Sequence, residues 1–198
     1  AVMTQYIGAK RIGIAYQARQ LGAVFNAVLG FGLSIFLFVF SGKILEIVGV
    51  APLLMEYAKT YLKIVGGCCF LNALIPIFSS YLRAFGYTKQ PLIATLVANG
   101  VNLGLNAVFL FGLHAGVAGV AWATVLSRIL NLGIVIVASK LLVKAKEDPE
   151  RLKNREVFAQ IIKVGLPSAL ETALYNVAMT LTIRFMNQMD ASGFNVTA

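Results

Sequence analysis

Long runs without a single charged residue dominate this chain. Residues 21–40 contain no Lys, Arg, Asp or Glu, and neither do residues 64–82 or 90–127. An α-helix needs about 20 mostly apolar residues to cross the hydrocarbon of a bilayer. The third run is too long for one crossing and is interrupted at Gly112, His114 and Gly116. It therefore divides into a helix near 91–113 and another that continues to about 139. A fifth apolar stretch, 157–186, carries Glu171 inside it. Helices are the only structure open to these segments, because hydrocarbon offers the backbone no hydrogen-bond partners. Barrel strands are shorter and alternate in polarity, and residues 34–40 and 134–137 do not alternate. The expected fold is an all-α membrane protein, a polytopic transmembrane bundle of about five spanning helices.

Composition excludes the soluble alternative. Hydrophobic residues make up 59% and charged residues 13% of the chain, against roughly 45–50% and 25% in soluble domains. The net charge of +9 would point to nucleic acid in a soluble protein. Here its location explains it without nucleic acid. Five crossings place residues 1–20, 83–90 and 139–156 on one side, with eleven Lys and Arg residues. Residues 41–63 and 113–116 lie on the other, with only Lys43, Lys59 and Lys63. Cytoplasmic loops are enriched in Lys and Arg, so the first side is expected in the cytoplasm of a cell with this chain in its plasma membrane, as in a bacterial inner membrane.

The stretch 144–156 mixes five basic and four acidic residues with Pro149. It is the natural boundary between a first, partial bundle over 1–143 and the first helix of a second bundle over 157–198. The other connections are short, which makes consecutive helices antiparallel neighbours. Pro52 suits the first turn of the second helix, and residues 43–48 are expected to form a short interfacial turn. The chain starts at Ala1 without Met and stops at Ala198 without a charged tail, and is expected to be a piece of a longer protein. Cys68 and Cys69 are adjacent in an apolar run and read as small packing residues. No zinc, phosphate-loop, triad or redox motif appears, and no metal or cofactor is expected. The sequon at Asn195 and Thr197 is a pattern common by chance.

Polar residues inside the apolar segments fall into stripes. Gly22, Asn26, Gly30 and Ser34 recur every four residues, and Asn72, Ser79 and Ser80 flank Pro76. Thr95, Asn99, Asn102 and Asn106 share one face, as do Thr124, Ser127, Arg128 and Asn131. Ser168, Glu171, Tyr175 and Thr182 follow Gly165 and Pro167. Small and amide residues glue membrane helices together, and this is the preferred reading of the first stripe. Gly100 and Gly104 fit it too. A polar cavity or ion path is the rival, and for the three asparagines both readings stand. Asn99, Asn102 and Asn106 are expected to face the stripe from Thr124 to Asn131. Arg128 lies mid-bilayer, where a charge costs roughly 2.5–3.5 kcal/mol unless it snorkels or faces a cavity. Glu171 is the only acid in any span. A carboxyl group in low dielectric can exchange protons near neutral pH, and can pair with a cation when ionised.

Several local sequences resemble one transporter family. Thr4, Gln5, Tyr6, Ile7, Gly8, Ala9 and Lys10 are similar to the loop after the second helix of MATE (multidrug and toxic compound extrusion) transporters. The segment from Tyr81 through Arg83, Gly86 and Lys89 to Pro91 looks like that family's turn before its fifth helix. Asn102, Asn106, Phe111, Gly112, the run from Gly116 to Thr124, and then Gly165, Leu166 and Pro167 continue in the family's order. The resemblance implies two bundles of six helices, of which this chain holds helices three to seven and the end of helix two. In some members an Asn and an Asp on the fifth helix and a Thr on the sixth help bind the coupling cation. The matching positions are Asn102, Asn106 and Thr124, with Asn106 standing where those members have Asp. Many members place a glutamate where this chain has Tyr175, one turn past Glu171.

The function implied is secondary active multidrug efflux. Small organic cationic or amphipathic substrates would be exchanged for Na⁺ or H⁺ by alternating access, by a monomer and not by an enzyme. Asn102, Asn106, Thr124, Glu171 and Tyr175 are the candidate cation and substrate residues, with Asn99, Arg128 and Asn131 lining the cavity. A flippase for lipid-linked oligosaccharides of the same superfamily is the alternative. It would be expected to line its cavity with cationic residues, and only Arg128 fits. A membrane-embedded enzyme would need a clustered nucleophile and base or metal ligands. A non-transporting membrane subunit is the remaining rival.

Overall fold

The computed structural model describes residues 2–48, 50, 52–143 and 152–191. Among the described residues there are seven α-helices and no strand: α1 (Val2–Gly8), α2 (Ile12–Val48), α3 (Pro52–Gly67), α4 (Phe70–Ala84), α5 (Lys89–Ala107), α6 (Gly116–Leu142) and α7 (Asn154–Ala191). Four helical stretches are long and apolar enough to cross a membrane: Ile12–Ile47, Lys89–Gly112, Gly116–Leu142 and Asn154–Thr182. The pair α3 and α4, bent by 43° at their junction, makes a fifth. Residues 144–151 of the expected linker and the sequon at Asn195 lie outside the described residues.

Two elements differ from the expectation. The interfacial turn expected over 43–48 is instead the last part of α2. No Pro or Gly interrupts the chain between Lys43 and Val48, so the helix runs on for 37 residues, about 55 Å at 1.5 Å per residue. The second crossing, expected as one helix over 64–82, is broken at Cys68 and Cys69. Gly66 and Gly67 precede the break, and glycine weakens a helix locally. There the backbone tightens to three-residue bonds, Cys69 N–H to Gly66 O at 3.0 Å and Asn72 N–H to Cys69 O at 3.0 Å.

The α2 stripe holds that break in place. The Phe70 N–H, left over at the start of α4, donates to Ser34 Oγ at 3.1 Å, and Ser34 is buried. Gly30 allows the approach: a Cβ there would lie 2.8 Å from Phe70 Cα and 3.0 Å from Ala73 Cβ. Gly22 meets Ile77, and Asn26 Nδ2 donates to Gly22 O on its own helix. The stripe read as glue is therefore a contact face, and it also caps a broken partner helix.

α2 packs on α3 and α4, and α6 packs on α3, α4 and α5. The buried core gathers at the basic end of the bundle, where the α4–α5 connection and the last turns of α6 meet. Tyr81, Leu82, Ala94, Val135 and Val143 form one cluster there. The Arg19 guanidinium sits over the rings of Tyr16 at 4.4 Å, Tyr81 at 4.6 Å and Phe78 at 5.8 Å, tying α2 to α4. Tyr87 Oη donates to Leu142 O at 3.2 Å, joining the α4–α5 turn to the end of α6.

That turn is a glycine-terminated helix end. Tyr87 N–H reaches Leu82 O and Gly86 N–H reaches Arg83 O, both at 3.0 Å, with Gly86 at φ 85°. This is the Schellman pattern, which puts the residue after the cap in the left-handed region. Gly86→Ala is expected to lower stability by about 1–2 kcal/mol, since an L-residue is strained there. Gly100→Ala has open space around it in a helix interior, where Ala is favoured by about 1 kcal/mol. Thermal unfolding of the purified protein should therefore move in opposite directions for the two variants.

Candidate polar site between α5 and α6

α5 and α6 form an antiparallel hairpin whose contact faces repeat every four residues. On α5 the face runs Ala94, Ala98, Asn102, Asn106, with both alanines buried. On α6 it runs Gly119, Ala123, Ser127, Asn131, Val135, Ser139. Small residues at this spacing let the backbones approach. Gly119 is the tightest point, since a Cβ there would lie 2.8 Å from Phe109 Cβ.

Within this face the polar side chains form one relay. Asn106 Nδ2 donates to Asn102 Oδ1 at 3.1 Å, and Asn102 Nδ2 donates to Ser127 Oγ at 3.3 Å. Ser127 Oγ donates to Thr124 O at 2.9 Å, and Thr124 Oγ1 to Val120 O at 2.9 Å. The donors all point one way along the relay, so the acceptor at its head is left over. Asn106 Oδ1 is buried with no donor among the described residues, and so is Asn131 Oδ1. A buried carbonyl oxygen without a donor is costly. It is satisfied by an N–H or O–H of a ligand, by water, or by a cation.

Past Asn106 the helix widens into a π-helical turn, Val108–Gly112, a feature frequent at functional sites. Leu113 N–H bonds Val108 O at 3.0 Å and Ala115 N–H bonds Phe109 O at 2.8 Å. His114 at φ 51° and Gly116 at φ 56° then reverse the chain into α6.

The structure thus joins the Asn102, Asn106 and Ser127 side chains, while Thr124 meets Ser127 only through its backbone carbonyl and its hydroxyl bonds Val120 O on its own helix. Asn99 and Thr95 are exposed, and Thr95 Oγ1 is satisfied by Pro91 O on its own helix at 2.9 Å. Before Asn102 the contact face runs through Ala94 and Ala98, one position earlier, so Asn99 does not face the stripe from Thr124 to Asn131. A Cβ added at Gly100 or Gly104 would meet nothing within 4 Å, so their expected role in packing falls to the alanines. Arg128 is half-buried beside Ser127, outside the relay.

Glu171 and Tyr175 belong to a different place. α7 packs on α1 and α2, and over residues 154–182 it does so through its first turns. From Lys163 to Thr182 every residue of α7 is exposed. Glu171 and the 63%-exposed Tyr175 lie on that bare stretch, apart from the relay. Among the described residues no three His, Cys, Asp or Glu side chains gather as a metal site would require.

Sequence reasoning missed how α7 is attached. Gln17 on α2 holds Leu152 and Asn154, Tyr6 on α1 holds Gln160, and Val157 is fully buried among Tyr6, Ile14, Ala15 and Ala18. A glutamine on an otherwise apolar helix face is the one signal the sequence carries.

These helices define a multi-pass helical membrane protein. The chain belongs to the MatE family, whose model matches residues 1–108. It is 31% identical over 196 residues to the uncharacterized transporter YisQ of Bacillus subtilis (strain 168), covering 96% of this chain and 43% of that one. It is 28% identical over 171 residues to the probable multidrug resistance protein NorM of Thermotoga maritima, covering 75% of this chain and 36% of that one. Among solved structures, a crystal structure of MATE in the bent conformation superposes with a TM-score of 0.75 at 23% identity, over 96% of this chain and 44% of that one. An inward-facing multidrug resistance MATE family transporter of the MOP superfamily superposes with a TM-score of 0.72 at 22% identity, over 85% and 39%. The chain spans less than half the length of each of these relatives.

Proposed function

We propose that this chain is part of a secondary active transporter that exports small organic cations or amphipathic drugs in exchange for Na⁺ or H⁺. The observation that carries this reading is the relay from Asn106 through Asn102 to Ser127. It lies within apolar helices of a MatE-family chain and leaves the Asn106 amide oxygen buried without a donor. Amide and hydroxyl oxygens can stand in for the hydration shell of a small cation, as carbonyl rings do in channels. Family relatives named as transporters and multidrug export proteins support the same direction.

The relay holds no group that ionises near neutral pH. Coupling through it would therefore use Na⁺, and coupling to protons would fall to Glu171. In this reading two bundles rock about a central cavity, the basic end of the helices faces the cytoplasm of a cell whose plasma membrane holds the protein, and the protein works as a monomer. The test is the full-length protein in proteoliposomes, with uptake of a fluorescent organic cation driven by an imposed Na⁺ or pH gradient. Uptake under at least one gradient is expected, and none under either overturns the proposal. Asn106→Asp puts an ionisable carboxyl into the relay, so it should make Na⁺-driven uptake pH-dependent where the parent's is flat. An equally flat profile in the variant would remove Asn106 from the ion path.

A further inference from the structure

We propose that the junction of α7 with α1 and α2 is a polar latch, shut in this structure, that must part for the basic end of the molecule to open. The proposal rests on the transport reading for its role. Its geometry stands independently. Gln17 is 7% exposed, and its side-chain amide pairs with the backbone of Leu152 as a neighbouring strand would: Nε2 donates to Leu152 O at 2.8 Å, and Leu152 N–H donates to Oε1 at 3.3 Å. Nε2 also reaches Asn154 Oδ1 at 2.5 Å. From α1, the Tyr6 hydroxyl donates to Gln160 Oε1. Beneath these bonds Val157 plugs a pocket of Tyr6, Ile14, Ala15 and Ala18 at 0% exposure, and Phe158 meets Phe25 edge-on at 5.1 Å.

The contact ends abruptly, since every residue of α7 from Lys163 to Thr182 is exposed. The helix is thus joined to the first bundle by its first turns and exposed from Lys163 to Thr182. Two bodies joined at one end only must release that end if access is to alternate. The chemistry of the junction suits release. The bonds of Tyr6 to Gln160 and of Gln17 to Leu152 and Asn154 run between neutral groups, which exchange for water at little net cost. The apolar plug is one valine and one aromatic pair, enough to fix the register and small enough to withdraw.

The test places Gln17→Cys and Asn154→Cys in the full-length protein, after Cys68→Ala, Cys69→Ala and replacement of any cysteine outside this chain remove the free thiols. A short, reducible bis-methanethiosulfonate then joins the pair in membrane vesicles. Cross-linking is expected to cut transport of a fluorescent organic cation at least tenfold, with reductant restoring it. Cross-linked protein that transports at the rate of the reduced protein overturns the latch, because the junction then stays closed throughout the cycle. If the reduced protein transports nothing, the parent under the same gradient decides the transport reading, and a second measurement decides the latch. Val157→Cys is labelled with a maleimide with and without Gln17→Ala. A labelling rate raised at least tenfold by Gln17→Ala supports the latch, and an unchanged rate overturns it.

Discussion

Gly30→Leu should leave little folded protein. At Gly30 the first side-chain carbon alone would sit 2.8 Å from the Phe70 Cα and 3.0 Å from the Ala73 Cβ. The nearest atom is backbone, so no rotamer change relieves the contact. α4 would have to move away, and that pulls the Phe70 N–H off Ser34 Oγ, 3.1 Å distant. The N–H would then be stranded at a helix break inside the membrane region, where no water replaces the bond. Overpacking typically costs about 1–3 kcal/mol and an orphaned buried donor about 1–3 more. The sum is a large part of the stability of a typical domain. Gly32→Leu is the control: it lies two residues along the same helix, exposed, with nothing within 4 Å of its Cβ position. It should express and unfold like the parent. Yield and thermal midpoint of the two purified variants decide the matter, and equal behaviour would show that α2 does not clasp the break.

The spans, the reversal at Gly112 to Gly116 and the polar stripes are legible in the sequence alone, because each is written in residue type at a helical period. The five crossings need only apolar runs and their interruptions. The break at Cys68 is not legible as such. Gly66 and Gly67 announce weakness, but what keeps the bend is Ser34, half the first bundle away in sequence, and nothing in the local pattern names it. The α5 face is half legible for a related reason. Asn102 and Asn106 stand out as polar, whereas Ala94 and Ala98, which continue the same face, look like any other apolar residue. Polarity by itself therefore draws the stripe through Thr95 and Asn99, one position off. The α7 junction leaves almost no trace, since Tyr6, Gln17 and Val157 come from three helices and form no periodic pattern on any of them.

Glu171→Gln should cost transport while leaving the protein in the membrane. Glu171 follows Pro167 by one turn inside α7, on the stretch that carries no packing partner among the described residues. Its neighbours Leu170 and Leu174 are exposed at 56% and 70%. A carboxylate at that depth facing lipid would cost roughly 2.5–3.5 kcal/mol, so its retention argues for a polar cavity on that side of α7. Gln keeps the size and most hydrogen bonds and removes only the charge. If Glu171 merely tied helices together, efflux and drug binding should stay near those of the parent. If its charge holds the cationic substrate or carries the coupling proton, efflux should fall at least tenfold, about 1.4 kcal/mol of lost transition-state or binding stabilisation. The two charge roles separate by driving force. The relay of Asn102, Asn106 and Ser127 cannot take up a proton, so a proton-carrying Glu171 predicts that Glu171→Gln loses pH-driven uptake and keeps Na⁺-driven uptake. A substrate-holding Glu171 predicts that both are lost together. Uptake unchanged under both gradients would take Glu171 out of the mechanism.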